Sequence, residues 1–227
     1  MSPRLPAHEY PWAAPDMDGD LLTRPRDIEG RDLVVAVGSN ASPEVMRTKL
    51  ARIATGDPGP PMARVTVSHV AVGHSAHVSA RGYIPAAPYH SPGAVLHSVG
   101  AWLTPAEVSM LDHTEPNYRR VELAVGDHPG IDHPSGTGAT FSVYVSLHGV
   151  LADPDAEPVP LGAQREIVDW LGSRICDNAL HGPTAEVCHR LADPRVGARV
   201  SASMRSAGLS RPAGLPIHDP ETGPAPR

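Results

Sequence analysis

The chain has 227 residues, a net charge of −6 and two cysteines, enough length for one substantial hydrophobic core. No basic block is present, which argues against a nucleic-acid partner, and no apolar run approaches the length of a membrane span or a secretory leader. The expectation is a cytoplasmic protein in which Cys176 and Cys188 are reduced thiols.

Residues 1–30 are rich in proline and charge without periodicity, which predicts an irregular arm in which Tyr10, Trp12, Leu21 and Leu22 are the groups able to pack. A single domain is expected over 31–209. It opens with the apolar, β-branched run 33–37, a strand pattern. Gly38-Ser39-Asn40 then breaks the strand, and Ser42-Pro43-Glu44 starts a helix over 43–54, with serine as cap and proline at the first position. Alternation over 65–78 predicts one or two strands, and 139–150 another. A polar, Gly/Pro-rich loop is expected over 127–138. Residues 164–175 place Ile167, Val168, Leu171 and Ile175 on one helical stripe, and a short helix near Pro183 turns Val187 and Leu191 inward. From residue 210 to 227 proline and glycine predict disorder. No repeat is evident. Strands with a few peripheral helices make an α+β domain, and periodicity leaves barrel and sandwich both open.

The best-signalled element is the helix over 105–113. Thr104, Pro105 and Glu107 have the form of a capping box with proline at the first helical position, and Val108 and Leu111 would face a core. Pro116 cannot continue that helix and restrains Glu115 before it. A carboxylate fixed on such a corner is well placed for acid/base work. Its ordinary alternative is an ion pair with Arg119 or Arg120. Asp112 would act on Glu115 by like-charge repulsion if the side chains converged, and would otherwise face solvent. Upstream, the strand, the Gly38-Ser39-Asn40 turn and the helix start present N–H groups to one spot, which favours a carboxylate or oxyanion. The stretch is neither a P-loop nor a dinucleotide-binding glycine motif.

Together, Val37-Gly38-Ser39-Asn40 and Leu111-Asp112-His113-Thr114-Glu115 resemble the γ-glutamylcyclotransferase-like family, which carries a Tyr-Gly-Ser-Asn loop and a Leu-Asp-x-x-Glu segment. Pro92 to His97, Ala101 to Pro105 and Tyr118 to Val121 look like the family's flanking strands and helix entry, so the resemblance spans about residues 32–160. It implies a small β-barrel with peripheral helices and a pocket at one mouth, where the loop and the glutamate meet. It also implies cyclisation of a γ-glutamyl amide to 5-oxoproline without metal or cofactor. Glu115 would be the general acid/base, with Gly38, Ser39, Asn40 and Tyr118 at the substrate. The family's tyrosine is Val37 here and its following glycine is Pro116, departures that bear on substrate identity. The leaving amine, which loops 83–90 and 127–138 would select, and the oligomeric state stay open.

Two other readings are carried. One is a non-catalytic module of the same fold that binds a small carboxylate. The other is a metal-dependent hydrolase drawing on thirteen histidines: His69, His74 and His77, or Asp127, His128, Asp132 and His133. Neither group has the spacing of a known zinc motif. Tyr118-Arg119-Arg120-Val121 is also what an ordinary strand with one wet face shows. Lys49 is the only lysine, and beside so many arginines it reads as compositional bias.

Overall fold

The computed structural model describes residues 5–12, 28–51, 53, 59–129 and 140–217. The chain forms two compact units from discontinuous segments. The first takes its described residues from 5–12, Val72–Tyr89 and Ser146–Ala213, and the second from 28–71, His90–Val145 and the short stretch from Gly214.

The second unit carries the sheet that positions the site. Strand β1 (Asp32–Ala36) runs antiparallel to β3 (Ala86–Leu103), pairing Asp32 with Leu103 and Ala36 with Val99. It also runs parallel to β5 (Thr140–Ser146), pairing Val34 with Ser142. With β2 (Met62–His74) and β4 (Tyr118–Ala124) the order is β2-β3-β1-β5-β4. Among the described residues, β2 and β4 are the two ends of this order and the sheet does not close. The fold is thus α+β as expected, built on a five-stranded sheet; among the described residues no ladder joins the end strands into the closed barrel that was expected. β1 is buried over Leu33 to Ala36, as its apolar run demands. Gly100 makes room beside it: a Cβ there would stand 2.7 Å from Leu33 Cδ1 and 2.9 Å from Val65 Cγ1, so those side chains would have to shift.

Two helices border this sheet. α1 (Pro43–Leu50) is capped by Ser42 and buries Met46 and Leu50. Its last helical residue is Leu50, short of the expected 54, and 52 and 54 lie outside the described residues. α2 (Pro105–His113) matches its expected range. Its capping box is complete, with Thr104 N donating to Glu107 Oε2 at 2.7 Å and Glu107 N to Thr104 Oγ1 at 3.3 Å, while Arg31 adds a 2.8 Å ion pair to the same carboxylate. Val108 and Leu111 pack with Val34, Met46, Leu50, Leu103 and Tyr144 in one core.

The first unit is mainly helical. α3 (Gln164–Gly172), α4 (Thr184–Leu191) and α5 (Pro194–Ser206) enclose a core that includes Ile167, Leu171, Val187, Leu191, Val200 and Met204. α5, the longest helix described, was not expected. Asp193 caps it, and Gly197 lets it cross the end of α4, where a Cβ would stand 2.8 Å from Leu191 O. β6 (Val150–Leu151) pairs with β7 (Ser210–Arg211). Composition predicted a disordered tail from Ser210, yet that residue and Arg211 lie in a strand, because main-chain pairing needs no particular side chain. Residues 218–227 lie outside the described residues, as do Leu21 and Leu22. Tyr10 is buried, stacks on Tyr83 and accepts the Ala86 N–H on its hydroxyl.

Two histidines of this unit, His74 and His77, are buried and hydrogen-bonded. His74 is fully buried, with Nε2 accepting the Gly162 N–H at 3.0 Å and Nδ1 facing Ile84 O at 3.4 Å. Those partners fix a neutral ring, protonated on Nδ1. Burial accordingly lowers its pKa to about 4, and that of His77 to about 3. His77 meets Ser75 Oγ at 2.6 Å, and Ser75 meets Ser146 Oγ at 2.6 Å. Gln164, fully buried, accepts from Ile84 N and donates to Ile84 O.

Candidate active site

The sequence between β1 and α1 folds as one 3₁₀ turn, Ser39–Ala41, with Ala41 N bonded to Gly38 O and Ser42 N to Ser39 O. A tight turn followed by a capped helix swings the Asn40 side chain across to the end of α2. There Glu115 lies past the last helical residue, and its carbonyl accepts the Tyr118 N–H at 3.0 Å. Glu115 to Tyr118 is therefore a turn with Pro116 in its second position, where the fixed φ of proline suits it.

The Glu115 carboxylate is 14% exposed and receives two donors on Oε1. Lys49 Nζ stands at 2.5 Å and Asn40 Nδ2 at 2.9 Å. Lys49 also donates to Asn40 Oδ1 at 2.7 Å, so three side chains from two distant segments close a ring of contacts. The amide of Asn40 has its orientation set by this ring, with oxygen toward the cation and nitrogen toward the carboxylate.

Of the five residues assigned from sequence, Asn40 and Glu115 touch directly. Gly38 and Ser39 belong to the same turn as Asn40, and Tyr118 packs partly buried against the core beside α2. Neither arginine is the ion-pair partner of Glu115. Arg119 is exposed, and Arg120 pairs with Asp112, Nε to Oδ1 at 3.1 Å, and donates to Ser142 Oγ. Asp112 does not simply face solvent, since it also accepts the Tyr144 hydroxyl at 2.7 Å. Burial first, and this carboxylate second, push the Tyr144 phenol far above its ordinary range. It is a fixed donor.

Lys49 is the residue that sequence reasoning passed over. Its signal was its singularity: one lysine in a chain whose other strong bases are all arginine. No local pattern linked it to a glutamate 66 positions away.

The histidine readings resolve differently. Among the described residues, no group of three histidine, cysteine, aspartate or glutamate side chains could hold a metal. His69 Nδ1 accepts the Gly93 N–H, and His128 Nδ1 meets Ser68 O, while Asp132 and His133 lie outside the described residues. Of the loop expected over 83–90, only residues 83–85 lie outside a strand, since β3 begins at Ala86. Both cysteines are free thiols, Cys176 exposed and Cys188 buried. No helix of the described residues is long and apolar enough to cross a membrane.

No protein-family model matches the chain, and no curated protein matches it. Solved structures do. One is a protein from Arabidopsis thaliana, 19% identical over 63% of this chain and 84% of that one, with a TM-score of 0.39. Another is a γ-glutamyl cyclotransferase, 13% identical over 86% and 93%, with a TM-score of 0.41. A third is a yeast γ-glutamyl cyclotransferase specific to glutathione, 12% identical over 81% and 98%, with a TM-score of 0.34. The last two bear the name of the family that the Gly-Ser-Asn and Leu-Asp-x-x-Glu motifs resemble.

Proposed function

We propose that the chain is a γ-glutamylcyclotransferase-like enzyme that converts a γ-glutamyl amide or peptide into 5-oxoproline and a free amine or amino acid. One observation carries the reading. A carboxylate on a proline-fixed corner, partly open to solvent, is held by a side chain of the very turn that offers main-chain donors.

The reaction needs little else. The α-amine and γ-carbonyl share one molecule, so holding the chain folded supplies the encounter that two separate reactants would lack. Glu115 takes a proton from the α-ammonium, and the freed amine attacks the γ-carbonyl. As the tetrahedral centre collapses, the old C–N bond breaks and Glu115 returns the proton to the leaving nitrogen. It then takes the second proton from the ring nitrogen, leaving a neutral lactam, and that proton departs with the released amine as its ammonium. Negative charge gathers on the carbonyl oxygen meanwhile. The backbone N–H groups of Gly38 and Ser39 head the 3₁₀ turn and are the donors proposed for it. Tyr118, which follows the glutamate turn, is the further residue proposed at the substrate.

The test is a panel of γ-glutamyl compounds assayed for 5-oxoproline, with Glu115→Gln alongside. Release by the parent protein and its loss in the variant are expected. Saturable binding with no product from any compound would instead make this fold a carboxylate-binding module.

A further inference from the structure

Resting on that reading, we infer that Lys49 binds the α-carboxylate of the γ-glutamyl substrate, so that the Lys49–Glu115 pair recognises a free amino-acid head group as a zwitterion.

The geometry of the pair is the starting point. Both Lys49 and Asn40 donate to Oε1 of Glu115, and among the described residues Oε2 accepts from neither. An ammonium has three N–H donors. Lys49 spends one on Glu115 Oε1 and one on Asn40 Oδ1. Each partner therefore keeps bonding capacity, and each keeps part of its side chain exposed, 19% for Lys49 and 14% for Glu115. Among the described residues, neither Glu115 Oε2 nor the third ammonium N–H of Lys49 is bonded within this ring, and both side chains remain partly exposed.

A γ-glutamyl head group carries the complementary pair. Its α-ammonium and α-carboxylate sit on one carbon, so they can meet Glu115 Oε2 and Lys49 Nζ together. Neither protein charge is left unpaired when the head group binds, which avoids the cost of isolating a partly buried ion. The arrangement also divides the labour at the Gly38–Asn40 turn. With the α-carboxylate on Lys49, the N–H groups of Gly38 and Ser39 are kept for the oxygen of the reacting carbonyl.

A substrate preference follows. A γ-glutamyl amide with a free α-carboxylate fits, whereas a compound with that carboxylate amidated, or tied up in an α-linked peptide bond, leaves Lys49 without its anion. The leaving group does not enter this contact, so Lys49 serves every leaving amine alike.

Two compounds test it: γ-glutamyl anilide as the free α-acid and as its α-carboxamide, each followed by released aniline and by the cyclised product. The parent protein is expected to favour the acid by about thirty-fold or more in kcat/KM, the range of one charged hydrogen bond. Lys49→Met is expected to bring the ratio near unity, mostly through KM, and Lys49→Arg to restore part of it. Equal turnover of acid and carboxamide by the parent protein, which needs no variant to fold, would overturn the assignment of Lys49 while leaving the cyclotransferase reading standing. So would a Lys49→Met protein that slows both compounds equally. Absence of cyclised product from both compounds and from the whole γ-glutamyl panel with the parent protein would overturn both.

Discussion

Gln164, His74, Ser75 and His77 in the first unit are buried to 3% exposure or less, and each has hydrogen-bond partners inside that unit. Asn40, Lys49 and Glu115 in the second are bonded to one another but keep a face toward solvent. The first set is richer in the residue types usually suspected of catalysis. The His74 ring and the Gln164 amide close main-chain bonds that helices and strands leave open, such as both polar groups of Ile84. The second set holds charge in reach of water and with capacity unspent. Residue type alone would have ranked the two clusters the other way.

The comparison can be broken most sharply at Glu115. Glu115→Gln is expected to lower turnover about a thousand-fold, the range of a lost general acid/base, with a urea midpoint close to that of the parent. A variant that turns over normally would leave the cluster without its proposed task. The opposite pattern is expected for Gln164→Leu. Removing the Gln164 amide leaves the buried Ile84 N–H without its partner and Ile84 O with only the longer His74 contact, which should cost about 2 kcal/mol of stability, with activity per folded molecule unchanged.

Acid should act on the first cluster by a known sign. His74 is neutral in the folded chain down to about pH 4, whereas the unfolded chain takes up its proton near the ordinary histidine value. Between these two values the unfolded state binds more protons, so stability falls as pH drops through that window and levels off below it. By pH 5 His74 alone should cost about 2 kcal/mol, read as a shift of the urea midpoint, and His74→Gln should flatten the dependence. The smallest effect concerns the helix that aims the glutamate. Thr104→Ala removes one half of the α2 capping box and should cost about 1 kcal/mol, with little change in kcat.

These contrasts also mark where sequence was readable. α2 was legible to the residue because its cap, its first proline and its terminating proline are all local signals. The Gly-Ser-Asn turn and the position of Glu115 were legible for the same reason. α5 was not, although Asp193 and Pro194 announce its start. Gly197 in its body lets it pass close to Leu191 at the end of α4, and Ser201 receives the Val78 N–H from far along the chain. The strand order, the β6–β7 pair and the Lys49–Glu115 contact are likewise decided by partners distant in sequence, which no local window contains. The arginines after Tyr118 misled for a related reason. Proximity in sequence suggested Glu115 as their partner, but the strand carries Arg120 to Asp112 instead.

Because Lys49 is the only lysine, the chain has a single side-chain amine, and it lies against the carboxylate proposed to do the chemistry. Reductive methylation of amines therefore addresses this side chain and, apart from the terminal amine, nothing else. A methyl group carrying a carbon isotope would give one side-chain resonance, reporting directly on whether a small carboxylate has arrived beside Glu115.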